Sequence, residues 1–240
     1  MKTQKVIYQA DGLSMESHLF YEPATGKQPG VLVFPEGFGL GEHTLSRAKR
    51  LASMGYVALA CDLHGGQQII TDMNQMMGLL TPLRNDVSRI RARAQGGLDA
   101  LLACPEVDPG RIAAIGFCFG GTMSLELARG GANIAGVVGF HSGLATTAPQ
   151  NAKNIKGKVL ICTGADDPAV PVEQRRAFEE EMTAGKVDWQ MSVYGGVLHG
   201  FTNPEVDQMG RPEVLRYDAK ADARSWQQMC EFFDEIFEQK

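Results

Sequence analysis

One of the chain's five cysteines, Cys118, stands in Gly116-Phe117-Cys118-Phe119-Gly120-Gly121, directly after the apolar run RIAAIGF and before a helical pattern. A strand that turns this sharply into a helix lifts the central side chain clear of the sheet. Glycines must flank it, because a Cβ there meets neighbouring backbone. The turn also places the sulfur at a helix N-terminus, where unpaired N–H groups and the dipole favour thiolate over thiol. G-x-C-x-G is thus a nucleophile elbow with sulfur in place of oxygen; the plain alternative is a Gly-rich turn that contains a Cys. The other four, Cys61, Cys104, Cys162 and Cys230, lie in apolar runs, are widely spaced and form no C-x-x-C pair. They read as free thiols that pack as small hydrophobes, with neither a disulfide framework nor a metal site.

A nucleophile needs a base and a group that orients it, following in the order Cys, Asp, His. The run KVLICTG leads into Ala165-Asp166-Asp167-Pro168-Ala169-Val170-Pro171, and VYGG leads into Val197-Leu198-His199-Gly200-Phe201. His199 would exchange the proton with Cys118, and Asp167 would fix its tautomer and stabilise the imidazolium. Asp166 competes for that role, and Asp167 is preferred because it stands immediately before Pro-Ala-Val-Pro. At the end of VLVFP comes Pro35-Glu36-Gly37-Phe38-Gly39. Backbone N–H groups of Gly37 and Phe119 are the candidate oxyanion hole. A carboxylate beside a developing oxyanion is harmful unless it has another task. With a free thiol titrating near about 8.5, Glu36 can serve as a second proton acceptor for Cys118; as an exposed loop carboxylate it would have no such role. His141, in Gly139-Phe140-His141-Ser142-Gly143, is either a pocket residue or a satisfied structural His.

These loops need a frame that brings strand ends together. Unbroken apolar runs at 31–35, 56–62, 111–117, 134–140 and 158–164, with a further strand at 187–194, alternate with helical patterns at 44–53, 85–104, 119–129, 171–183 and 221–237. Short strands at 5–8 and 15–21 precede them, joined by Asp11-Gly12; Thr44 is the candidate cap of the first helix, and 66–82 is an amphipathic Gln- and Met-rich stretch broken by Pro82. The alternation predicts an α/β fold, a mostly parallel central sheet with helices on both faces, in one domain over 1–240. Sites in such sheets lie beyond the carboxyl ends of the strands.

Composition narrows the partners. With 23 Lys+Arg against 28 Asp+Glu among 240 residues, the net charge of −5 gives no general attraction to nucleic acid or anionic lipid. The first twenty residues lack the apolar stretch of a signal peptide, and no segment reaches the length of a membrane span. A cytoplasmic, soluble protein is expected. No exposed apolar stripe marks an interface, so a monomer is the default and a homodimer stays open.

VLVFPEGFG, CDLHGG, GFCFGG, TGADDPAVP and YGGVLHGF together resemble the dienelactone hydrolase family of α/β-hydrolases, from about Val31 onward. The Cys elbow combined with Glu36 is the specific part. The resemblance implies an α/β-hydrolase fold and hydrolysis of an enol lactone through an acyl-enzyme on Cys118, with His199 as base and acid and Asp167 as orienter. Glu36 would hold the resting thiol and accept its proton. No metal or organic cofactor is implied. Family members with that activity hold the substrate carboxylate with arginines, one of them four residues after the His; here that position is Asn203, which lacks Arg's charged fork. Arg84 is a candidate second arginine. An esterase or thioesterase acting on an uncharged substrate therefore competes, as does a non-catalytic scaffold. Segments 66–82, 142–150 and 201–216 would set the substrate.

Overall fold

The structure, a computed structural model, describes residues 1–237. The chain opens with a hairpin of β1 (Lys2–Ala10) and β2 (Leu13–Tyr21). Its two-residue turn, Asp11 (φ 50°) and Gly12 (φ 71°), has the left-handed backbone that matches the twist of adjoining strands. Then follow β3 (Gln28–Phe34), α1 (Glu42–Ser53), β4 (Val57–Ala60), α2 (Met73–Asn85), α3 (Val87–Leu102), β5 (Val107–Phe117) and α4 (Phe119–Arg129). The remainder comprises β6 (Gly136–Phe140), β7 (Lys158–Gly164), α5 (Val172–Ala184), β8 (Trp189–Tyr194) and α6 (Ala219–Phe237), with 3-10 turns at Pro149–Asn154 and Pro204–Met209.

The strands form one sheet in the order β1-β2-β4-β3-β5-β6-β7-β8, antiparallel through β2–β4 and parallel thereafter. Alternation along the strands supplies both faces. Leu32 and Phe34 of β3 and Ile112 and Ala114 of β5 meet α2 to α5 on one side, through residues such as Leu80, Ile90, Leu98, Leu125 and Phe178. Val31, Val33, Ala113, Ile115 and Phe117 point the other way, onto Ala48 and Leu51 of α1 and Trp226, Met229 and Phe233 of α6. This is the α/β-hydrolase arrangement expected from the alternation. The chain leaves β3 toward β4 on one side and returns to β5 on the other, so the carboxyl ends of β3 and β5 lie side by side at a switch in strand order. Phe34 pairs with Gly116 in the ladder, which sets Glu36 and Gly37 beside Cys118.

Several local expectations are corrected. The helix of the Met-rich stretch runs Met73–Asn85, straight through Pro82, with Asp72 capping Gln75 N at 2.8 Å. Pro82 lies on the exposed face of this helix, so the hydrogen bond it cannot donate leaves the Gly78 carbonyl toward solvent rather than in the core. Helix α1 starts at Glu42 behind an extended Gly41, so Thr44 lies inside it and is not its cap. Strand β5 begins four residues before the apolar run, at Val107, with a register irregularity opposite Pro29/Gly30. All five cysteines are free; Cys61 and Cys162 are buried, Cys104, Cys118 and Cys230 half-buried.

Candidate active site

Cys118 joins β5 to α4 with φ 53° and ψ −116°, a conformation that non-glycine residues rarely adopt. Such strain costs about 1–3 kcal/mol and persists only where the surroundings enforce it. The enforcement is visible at the glycines. A Cβ on Gly116 would lie 2.1 Å from the Gly120 backbone, one on Gly120 would lie 2.3 Å from Phe34 O, and one on Gly121 would lie 1.6 Å from Ser142 Oγ. Strand and helix therefore approach as closely as backbone allows, and the sulfur is presented at the N-terminus of α4.

His199 arrives from the loop after β8, and Asp167 from the loop after β7. The ring Nδ1–H of His199 donates to Asp167 Oδ2 at 2.7 Å, and Asp167 Oδ1 accepts from Ala169 N at 2.8 Å. Asp167 is 3% exposed, whereas Asp166 is exposed and contributes its amide to Val197 O; of the two carboxylates it is Asp167 that meets His199. Burial works against charge on His199, but the Cys118 sulfur and the Asp167 carboxylate outweigh it and hold the imidazole well above its ordinary value. The backbone of His199 bonds in both directions to Val214 and Arg216, so the segment 210–216 braces this loop. Thr202 O, three residues further on, accepts from Arg47 Nη2 at 2.6 Å, and Arg47 in turn holds Asp222. Helices α1 and α6 thus fix the His199 loop from behind.

The loop after β3 completes the ring. Gly39 N donates to Glu36 O at 3.0 Å, and His64 Nε2–H donates to Gly37 O at 2.8 Å, which fixes the plane of the next peptide and the aim of this turn. A Cβ on Gly37 would lie 2.6 Å from Leu80 Cδ1 and 2.9 Å from Met76 Sδ, so α2 packs directly on that backbone. Phe119 is the first residue of α4, and its N–H has no acceptor within the helix. Glu36 is pushed up to about 7 by burial, against which an Asn203 hydrogen bond and the charges of His199 and Arg47 pull it down. A carboxyl in that range both accepts and releases a proton near neutrality.

Cys118, Phe119, His199, Glu36 and Gly37 line one cavity of about 250 Å³, roofed by Met73, Met76, Met77, Met209, Val206 and Leu215, with Arg84 and Arg211 also on its wall. The profile of the Dienelactone hydrolase family matches residues 16–237. The chain belongs to the dienelactone hydrolase family, and so to the carboxylic-ester hydrolases. It is similar to a protein of Aquifex aeolicus named "Putative carboxymethylenebutenolidase", with 29% identity over 96% of this chain and 97% of the relative. Among solved structures it is similar to one named m3DLH, with 46% identity, TM-score 0.95 and 99% of both chains covered. A dienelactone hydrolase-like promiscuous phosphotriesterase from metagenomic libraries is 44% identical, with TM-score 0.94 and 99% of both chains covered.

Within this family site, three residues assigned to substrate binding fall out differently. Arg84 does line the cavity, 5.6 Å above the Phe119 ring and without a carboxylate partner among the described residues. Asn203 does not line it; the amide is 2% exposed and turned onto Glu36, with Nδ2 donating to Oε2 at 2.7 Å. His141 is fully buried behind the His199 ring, its Nε2 bonded to Thr202 Oγ1 at 2.8 Å and its face 5.1 Å from that ring. Burial and the nearby His199 and His43 keep it well below the ordinary His value, so it is a neutral support and not a pocket group. Sequence reasoning missed Arg211, whose segment has no motif, and His43, whose Nδ1 has no partner and stands 3.9 Å from Glu36 Oε2. The Met roof had a signal in the amphipathic Met-rich stretch. Among the described residues, no three His, Cys, Asp or Glu side chains are grouped to hold a metal ion, and no helix is long and apolar enough to cross a membrane.

Proposed function

We propose that the protein hydrolyses compact carboxylic esters and lactones through an acyl-enzyme on Cys118. The supporting observation is the 2.7 Å bond from a buried Asp167 to His199, whose ring shares one cavity with the Cys118 sulfur. The thiol proton passes to His199 or Glu36, and the sulfur attacks the acyl carbon while the carbonyl oxygen takes the charge, facing the N–H groups of Gly37 and Phe119. Collapse of the tetrahedral adduct breaks the bond to the alcohol oxygen, which takes up that proton from whichever of His199 and Glu36 holds it. A water then loses a proton to His199, attacks the thioester and releases the acid and the thiolate.

The mostly apolar wall suits a compact, uncharged acyl group. Four Met side chains and Phe38, Phe119 and Val206 line the cavity, Asn203 is committed to Glu36, and of the two arginines on the wall Arg84 lies over the Phe119 ring while Arg211 is 3.6 Å from Glu213. The test is a panel of small esters and lactones, including dienelactone against its methyl ester, with the wild type and Cys118→Ala. Hydrolysis lost in Cys118→Ala and no preference for the free acid are expected; full activity in Cys118→Ala refutes the mechanism. A phosphotriester belongs in the same panel, because a relative 44% identical carries that activity in its name and a tetrahedral centre presents the same target to the thiolate.

A further inference from the structure

Asn203 stands four residues after His199, in the turn that Arg47 clamps through Thr202. Its amide does two separate things. Oδ1 accepts Glu205 N at 3.0 Å and caps the 3-10 turn Pro204–Met209, while Nδ2 donates to Glu36 Oε2 at 2.7 Å. Glu36 lies in the wall between the catalytic cavity and a second one of about 400 Å³, lined by His43, Thr44, Thr71, Asn203 and Glu205. With a side chain 15% exposed and open space on both sides, it has two directions in which to turn.

We propose that Asn203 is a positioning residue for Glu36, holding its carboxylate at the partition so that one short segment, His199–Asn203, places both proton acceptors of the thiol. This rests on the acyl-enzyme reading above. An amide N–H prefers the ionised carboxyl as acceptor. Burial raises the carboxyl of Glu36, and the Asn203 hydrogen bond lowers it. The other groups facing Glu36 are Glu205, which raises it, Arg47 and His199, which lower it, the neutral His43 of α1, Cys118 across the cavity, and Arg211 on the shared wall. Losing the amide donor removes the largest of the influences that oppose burial, so the carboxylate form appears only at higher pH.

Asn203→Asp separates the two roles, because an Asp keeps the cap on Glu205 N and loses the donor. The experiment measures kcat/KM against pH on p-nitrophenyl acetate for the wild type, Asn203→Asp, Asn203→Ala, Glu36→Gln and the double variant Asn203→Asp/Glu36→Gln. The acid limb is expected to move upward by about one pH unit in Asn203→Ala and further in Asn203→Asp, where two carboxyl groups contend. KM is expected to hold, and the double variant is expected to match Glu36→Gln. An unmoved limb in Asn203→Asp, a rise confined to KM, or the same shift in the Glu36→Gln background overturns the proposal. A Glu36→Gln protein with the wild-type profile, or an active Cys118→Ala, overturns the underlying reading instead.

Discussion

Replacing Asp167 with Asn keeps the shape of the buried side chain and removes its charge. The backbone N–H of Ala169, 2.8 Å from Oδ1, requires an acceptor and so fixes the Asn oxygen on its side. The amide nitrogen is then turned toward His199 Nδ1, where the carboxylate oxygen stood at 2.7 Å. Two donors cannot face each other, so the imidazole shifts its proton to Nε2 and can no longer accept one from the thiol. The lost charge-assisted hydrogen bond alone is worth about 1.5–3 kcal/mol, roughly 10- to 150-fold in rate. Adding the wrong tautomer brings the expected loss in kcat to about 10³–10⁴, or about 4–5.5 kcal/mol. Stopped-flow acylation by p-nitrophenyl acetate measures it, and alkylation of Cys118 by iodoacetamide is expected to slow in parallel. Stability follows the same linkage. Burial opposes charge on His199, yet Cys118 and Asp167 hold its folded value well above the ordinary one. That contribution is fully present below the unfolded value of about 6.5 and is lost as pH rises through the folded value. Urea unfolding of Asp167→Asn is expected to show a larger deficit at about pH 5 than at about pH 9. A fall in kcat below tenfold, with alkylation unchanged and the fold intact, refutes the reasoning.

Two further substitutions probe the frame. Gly37→Ala places a methyl 2.6 Å from Leu80 Cδ1 and 2.9 Å from Met76 Sδ, both side-chain atoms that can yield. A stability cost of about 1–3 kcal/mol and a kcat loss of up to about 10²-fold as the N–H is displaced are expected from thermal melts and ester kinetics; unchanged kcat removes Gly37 from the oxyanion site. Arg129, fully buried, bonds Glu126 at 3.0 Å, Glu181 at 2.7 Å and Leu144 O at 3.0 Å. Arg129→Met leaves Glu181 without a cation and is expected to cost about 3–5 kcal/mol in urea unfolding, and a cost under about 1 kcal/mol speaks against a structural role for the pair.

The elbow, the His loop and the turn after β3 were legible because each is a local demand. Gly116, Gly120 and Gly121 answer a backbone approach, and the Cys-Asp-His order follows from strand order. Relations across long sequence distance were not. Asn203 and Glu36 are 167 positions apart, and nothing in either segment announces their bond. In sequence His141 reads equally as a pocket group or a structural His, and only the packing of Phe117, Phe201 and His199 around it encloses it. Pro82 misled because a helix-breaker rule was applied without knowing that it falls on the exposed face of its helix. Arg211 reaches the wall only because the chain from Pro204 onward folds back over His199.

The roof of four methionines has a consequence for selectivity. Thioether chains are unbranched and turn easily about their bonds, so Met73, Met76, Met77 and Met209 reshape around differently contoured guests at little cost. The groups beneath them are anchored on strand ends and do not yield. On the proposed mechanism, discrimination is therefore expected to be lax toward outline and strict toward where the electrophilic atom comes to rest. Peroxide would reverse the balance: sulfoxides on those four chains turn an oily, compliant ceiling into a wet and bulky one while leaving Asp167 and His199 in register.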